Sequence, residues 1–177
     1  MKFALHFFTI SFLLTCQLAL AATPVLGFEI NVSSINHVKS SLSRETVIND
    51  SGINAYTLGP MLKTNGSSYD IEGLHEVLYV FDEQQVLVAV FMDMDKSRFD
   101  DVYKALANKY KVTSQNRPFV GNKYARFKTP DTIIEMDAPH MSFRMMVSYT
   151  QADLFKKYKA QSAAELEAKK KKEASKF

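Results

Sequence analysis

The spacing of apolar residues predicts a short helix near the start of the chain. Ile35, Val38 and Leu42 recur at helical intervals and would share one face. Ser33 and Ser34 precede them, and serine suits a helix N-cap because its hydroxyl accepts a hydrogen bond from an unpaired backbone N–H. We therefore predict that a helix begins at one of these serines and packs its apolar face on a core.

Three strand segments are predicted after this helix. Residues 52–65 are turn-rich strand material that Gly59 and Pro60 interrupt. Residues 74–81 and 86–92 are rich in Val, Leu, Tyr and Phe, which are typical of strands. The polar residues between these two segments predict a hairpin connection.

The second half of the chain repeats this order. Ser97, with Asp100 three residues later, resembles a capping box in which Asp replaces the usual Glu. Apolar residues at helical spacing then predict a helix over residues 98–111. Three strand segments separated by proline turns follow, at residues 119–128, 132–137 and 141–149.

A final helix and a shared core complete the predicted fold. Thr150 and Asp153 repeat the spacing of the proposed capping box and predict the helix start. We predict an α+β fold with one antiparallel sheet from two helix-plus-three-strand units, at about residues 33–96 and 97–149, and a C-terminal helix. Because each unit would be marginal alone, we expect a single domain over residues 23–158.

This order of elements resembles small exported bacterial proteins with tandem helix-plus-antiparallel-sheet units, of which the beta-lactamase-inhibitor-like group is an example. The resemblance covers the chain after its N-terminal segment. It rests on the order of elements, because no motif of that group occurs here and its disulfides are missing. No inhibitory residue is therefore assigned from it.

The N-terminal 22 residues predict a secretory signal peptide. Lys2 supplies a positive start, a long apolar run follows, and the small residues Ala19, Ala21 and Ala22 close it. Cleavage near Ala21 or Ala22 would give a periplasmic or secreted protein. The short Met-Lys start favours a bacterial source and hence the periplasm.

Two alternatives compete with cleavage. The apolar run approaches the length of a membrane-spanning helix, which needs roughly 20 residues. Residues 13–16 resemble a lipoprotein box ending at Cys16, but Thr15 stands where that box needs Gly, Ala or Ser. Cys16 is also the single cysteine, so a cleaved chain has no thiol for disulfides, catalysis or metal binding.

The positive net charge belongs to the C-terminal tail. The chain carries a formal charge of +3, and residues 159–177 form a Lys-rich segment that we predict to be helical or frayed. Attraction of these lysines to an anionic envelope surface is a candidate interaction. Since residues 23–155 carry 13 Lys and Arg against 16 Asp and Glu, we predict no nucleic-acid partner.

Asp93 and Asp95 are the only metal candidates that the sequence offers. Their spacing with Ser97 resembles the first ligands of a calcium loop. Arg98 stands where that loop needs glycine, and Lys104 stands where it needs glutamate. We therefore predict no metal and no cofactor.

Motifs for catalysis are missing from the sequence. The chain has no Gly-x-Ser-x-Gly elbow, no His-Glu-x-x-His pattern and no Gly-rich phosphate loop. Glu135 and Asp137 would share one strand face as paired carboxylates, and His140 follows a nearby turn. These residues keep a hydrolase as an alternative function.

The segment 86–92 is apolar on both faces of its predicted strand. One face would carry Val86, Val88, Val90 and Met92. An antiparallel sheet commonly has one solvated face, so the second face is either covered or forms an apolar groove. Candidate binding residues on these strands and on a nearby loop are Val88, Val90, Met92, Met145, Tyr149 and Asn65.

Together these observations favour an exported, non-catalytic binding module. We expect a protein partner, in the manner of an inhibitor or immunity protein, bound through the sheet or through the loops at Gly59-Pro60 and residues 65–68. The alternative is a carrier of a hydrophobic small molecule in a sheet groove.

Overall fold

A computed structural model describes residues 23–176. The predicted signal peptide, with Cys16, Ala21 and Ala22, lies outside these described residues. The first strands are β1 (Pro24–Val25) and β2 (Phe28–Glu29). A helix and four strands follow: α1 (Ile35–Leu42), β3 (Ile48–Ile53), β4 (Leu58–Asn65), β5 (Leu74–Asp82) and β6 (Leu87–Asp95). The same order then recurs: α2 (Phe99–Ala107), β7 (Lys111–Asn116), β8 (Lys123–Lys128), β9 (Thr132–Ala138) and β10 (Arg144–Gln151), before α3 (Ala152–Ala174).

The two units share one continuous antiparallel sheet of eight strands. The strand order is β3-β4-β5-β6-β10-β9-β8-β7, so the last strand of each unit meets the other at the centre. At this seam Val147 of β10 lies opposite Met92 of β6. The predicted α+β class, the antiparallel sheet and the C-terminal helix are confirmed.

Each unit contributes four strands, whereas the hydrophobic pattern predicted three. The predicted strand over residues 52–65 spans the end of β3, a turn and the whole of β4, and these two strands form a hairpin. Strand β7 escaped prediction because it lies at the sheet edge and its residues are mostly polar. Its main contribution to the core is the partly buried Val112.

Helices α1 and α2 pack against the same core as the central strands. The prediction for α1 is confirmed, because the Ser34 hydroxyl accepts the His37 backbone N–H at 3.3 Å and Ile35, Val38 and Leu42 are buried. The Tyr103 ring of α2 lies 5.7 Å from that of Phe127 on β8. The fully buried strand residues of this layer include Val77, Tyr79, Val90, Phe127, Ile134, Met136, Met145 and Val147.

The predicted capping boxes are wrong. Ser97 lies inside a 3-10 turn, Lys96–Arg98, and α2 begins after it without a side-chain cap. The Asp100 carboxylate pairs instead with Arg117 at 2.9 Å and Lys123 at 3.5 Å. Thr150 does not cap α3, because it still belongs to the β10 ladder.

A β-bulge changes the faces of strand β6. Phe81 pairs with Leu87 while Val80 pairs with Ala89, so Val88 is the extra residue on β6. Val88 therefore packs with Val80 and Ala89 in a second apolar cluster, away from Val90 and Met92 in the main core. The predicted alternation, which placed Val88 on the same face as Val90, is wrong for this reason.

Helix α3 crosses the face of the sheet opposite the main core. Its first turns contribute Leu154, which packs on the second apolar cluster. The lysine-rich remainder continues as helix to Ala174 and is largely solvent-exposed. Within residues 23–176, the length and hydropathy needed for a membrane-spanning helix are not met.

Candidate functional site

The face of the sheet under α3 is covered only in part. Val80 and Ala89 are each 1% exposed. Phe91 and Leu78 on the same face are partly exposed, and Met146 is 40% exposed. The second face of β6 is therefore buried at one end and partly exposed along the rest.

A groove lies between this face and α3. It has a volume of about 390 Å³, within the range of about 300–1,000 Å³ that is common for small-molecule sites. Its floor includes Val80, Ala89 and Phe91. One wall combines Tyr56, from the connection between β3 and β4, with Tyr158 of α3, whose rings meet edge to face at 5.4 Å.

The acidic side of the groove lies on β9. Both oxygens of Glu135 face cations, with Arg126 at 2.6 Å from Oε1 and Lys159 at 3.8 Å from Oε2. Asp137 also lines the groove, and among the described residues no cation pairs with it. The two carboxylates proposed for a hydrolase are thus in one groove, but one of them is already occupied by two cations.

The histidine offered as a catalytic candidate makes a local contact. His140 is exposed, and its backbone N–H donates to Asn122 Oδ1 at 2.7 Å. A second histidine, His75 on β5, lies with Nε2 at 2.6 Å from Asp95 Oδ1. This contact engages the carboxylate of Asp95, one of the two metal candidates.

Asp93, the other metal candidate, is held by arginine. Its two oxygens accept from Arg144 Nε at 3.0 Å and Arg144 Nη2 at 2.8 Å. Hydrogen bonds from this guanidinium lower the pKa of the Asp93 carboxyl below its usual value. Among residues 23–176, His, Asp and Glu side chains do not gather in a group of three that could hold a metal ion.

Five of the six predicted binding residues are buried. Val90, Met92, Met145 and Tyr149 belong to the main core, and Val88 belongs to the cluster near Leu154. Asn65 is exposed at the end of β4, where its Oδ1 accepts the Ser67 backbone N–H at 2.9 Å. Their role in binding stays a prediction, and the four core residues do not face the groove.

The structure reveals a second candidate surface that the sequence interpretation placed inside strands. Phe119 is 100% exposed, Phe143 is 94% exposed and Met141 is 91% exposed. Val120 beside Phe119 is also exposed. We call these four residues the apolar loop end. They lie on the β7–β8 and β9–β10 connections, which come together because Lys123 at the start of β8 pairs with Ala138 at the end of β9.

Hydrogen bonds fasten these two connections to each other and to the sheet. The Asn122 side chain on one loop binds the His140 backbone on the other. Lys96 donates from its backbone to the Phe143 carbonyl at 2.8 Å and from Nζ to the Pro139 carbonyl at 2.5 Å. The exposed rings therefore stand on loops with defined backbone positions.

A turn signature could have identified this surface. Pro118 and Gly121 flank Phe119 and Val120, and Pro139 precedes Met141. Proline and glycine mark turns, so the neighbouring apolar residues need not belong to a strand. Their β-propensity had instead extended the predicted strands into both loops.

A polar cluster joins the first described residue to the β8–β9 turn. Asp131 accepts from the hydroxyl groups of Thr23 at 3.0 Å and Thr129 at 2.9 Å. Thr132 and Asn31 donate to the same carboxylate at 3.2 Å and 3.3 Å. Burial raises the pKa of Asp131, but these hydrogen bonds outweigh it and hold the pKa below its usual value.

Comparison with protein-family models, curated proteins and solved structures finds no match to this chain.

Proposed function

We propose that this protein is a non-catalytic binding module, exported to a bacterial periplasm, that binds a protein partner through its apolar loop end. The observation that carries the proposal is the near-complete exposure of Phe119, Met141 and Phe143 on two adjoining loops. Large exposed apolar groups that cluster at one place are typical of interaction sites.

The chemistry of the loop end suits a protein surface with apolar pockets. Aromatic residues and Met are enriched in protein interfaces, and a few buried aromatic anchors supply most of the binding free energy. Here Phe119 and Phe143 are candidate anchors. Because Lys96 and Asn122 already hold the loops, less conformational entropy is lost on binding.

The charged side chains near the candidate sites support binding over hydrolysis. Glu135 is shared by two cations, and Asp93 is held by Arg144. Glu72 likewise binds Arg98 at 2.9 Å. These carboxylates serve as ion-pair partners for cations on neighbouring segments of the fold.

Site-directed photocrosslinking in the periplasm tests this proposal. A photoreactive phenylalanine analogue at position 143 should give a defined adduct with one partner, which is then purified and tested for direct binding. Phe119→Ser with Phe143→Ser should abolish that binding. Ile53→Ser is the matched control, because Ile53 is an exposed apolar residue on the edge strand β3.

Two results would overturn the proposal. The photoreactive analogue is also placed at position 53. Equal crosslinking from positions 143 and 53 would mean that the apolar loop end is not a specific surface. Binding of the purified protein to lipid vesicles, lost in the double variant, would mean that these side chains insert into a membrane surface instead.

A second candidate function is the carriage of a hydrophobic small molecule. The groove of about 390 Å³ with its apolar floor favours it. Native mass spectrometry of the protein purified from its own source should then show a co-purified mass. A protein that is always free of ligand would argue against this function.

A further inference from the structure

Polarity changes systematically across the groove under α3. The floor on β5 and β6 is apolar, with Val80, Ala89 and Phe91. Next in the sheet comes β10, which presents Met146 and Ser148, and then β9 with Glu135 and Asp137. A ligand that follows the floor from β5 to β9 therefore passes from hydrocarbon to carboxylate.

Three acids on this face of the sheet have a cation beside them. Glu76 pairs with Lys63 at 3.1 Å, and Asp93 pairs with Arg144 at 2.8 Å. Glu135 is bound by Arg126 and also faces Lys159. Asp137 differs from these three acids, since no ion pair to it occurs within residues 23–176. An unpaired carboxylate next to an apolar floor is complementary to a ligand that is apolar at one end and positively charged at the other.

Aromatic rings add to the preference for a cation. Tyr56, Phe91, Phe155 and Tyr158 all line the groove. Ring faces attract cations through their quadrupole, and this attraction increases where water is excluded. Arg126 and Lys159 already use the Phe155 ring in this way, at 5.3 Å and 5.2 Å from its centroid, and Lys159 also lies 5.8 Å from the Tyr158 centroid. Among the described residues, Tyr56 and Phe91 are therefore the groove rings that no protein cation occupies.

We propose that the groove is a binding site for a cationic amphiphile, with an apolar chain over Val80 and Phe91 and a positively charged amine or ammonium head beside Asp137. This inference rests on the carrier function given above as the second candidate. It adds the chemical class of the ligand, because the carrier function alone requires only that the ligand be hydrophobic.

Methyl resonances of methionine provide a site-specific test. Met146 lines the groove, whereas Met141 stands on the apolar loop end. The protein labelled with ¹³C at methionine methyl groups is titrated with decyltrimethylammonium, and separately with decyl sulfate, below their micelle concentrations. We expect the cationic probe to shift the Met146 resonance with saturation while Met141 stays unchanged.

Substitution of the carboxylate tests the charge argument. Asp137→Asn should weaken binding of decyltrimethylammonium by about two- to fivefold, the effect of losing a favourable ion pair at an exposed site. Binding of decyl sulfate should not weaken. Asp70→Asn is the matched control, because Asp70 is exposed and does not line the groove.

The outcomes separate the ligand class from the carrier function. If decyl sulfate shifts Met146 as effectively as the cationic probe, or if Asp137→Asn changes nothing, the proposed class is wrong while the carrier function survives. If neither probe shifts Met146, both are wrong. A shift of Met141 in place of Met146 would mean that amphiphiles bind the loop end.

Discussion

The Asp131 cluster gives a prediction whose size follows from its geometry. Asp131→Ala removes the acceptor for hydroxyl groups of Thr23, Thr129 and Thr132 and for the Asn31 amide. The two shorter contacts, at 3.0 Å and 2.9 Å, should each contribute about 1 kcal/mol. The two longer ones should add little, since hydrogen bonds weaken with distance.

We therefore expect the free energy of unfolding to fall by about 2 kcal/mol at pH 7. For a domain of this size, that corresponds to a decrease of about 4–8 °C in Tm. Urea unfolding followed by circular dichroism measures the difference. Glu83→Ala, in the exposed connection between β5 and β6, is the control and should change stability by less than about 0.5 kcal/mol.

The pH dependence supplies a second check with a definite sign. The folded-state pKa of Asp131 is lowered, so its stabilising contribution is present above the unfolded pKa of about 3.9 and is lost as pH falls through the folded value. The difference between wild type and Asp131→Ala should therefore shrink at acid pH. A difference that is absent at pH 7, or that is equally large below the folded pKa, would refute this account of the cluster.

Three further predictions concern the core, a close approach between backbone segments and the apolar loop end. Phe127→Ala, at a fully buried position, should lower the free energy of unfolding by about 3–5 kcal/mol in urea titrations. Gly66→Ala should lower the free energy of unfolding by at least about 1 kcal/mol, because a Cβ there would meet the Leu74 backbone. Gly52→Ala is the comparison variant. Its Cβ would meet nothing, so any loss of stability there measures the strain of the positive φ alone. Phe143→Ser, in the apolar loop end, should change stability by less than about 0.5 kcal/mol, and a larger loss would mean that the ring packs on the domain.

The spacing of apolar residues correctly predicted those elements that bury one face at regular intervals. The helix at Ile35–Leu42 and the hairpin of β5 and β6 combine a clear apolar period with suitable ends. Strand β7 carries few apolar residues because it pairs on one side only. Its sequence therefore resembles a loop as much as a strand.

Errors within correctly predicted elements had structural causes. The extra residue at Val88 reverses part of the alternation in β6, and the sequence gives no bulge signal such as glycine there. Ser97 has the right residue type for a cap, but a 3-10 turn intervenes before α2 begins. Both features depend on pairing with distant residues.

The groove could be anticipated only in outline. The apolar character of both faces of β6 indicated either a cover or a groove. In the structure, helix α3 covers part of the second face and leaves a groove over another part. The wall formed by Tyr56 and Tyr158 joins residues far apart in the sequence. Its position depends on how α3 crosses the sheet, which helical periodicity alone does not specify.

The central pairing of β6 with β10 has a consequence for the order of folding. When the chain is threaded from its N-terminus, the first unit is complete before β10, the strand that must cover its inner edge. Until then β6 presents unpaired backbone groups between two apolar faces, which is the kind of edge that recruits other chains into aggregates. A chain that folds from its N-terminus should therefore be prone to aggregation until Arg144–Gln151 is available to pair with β6.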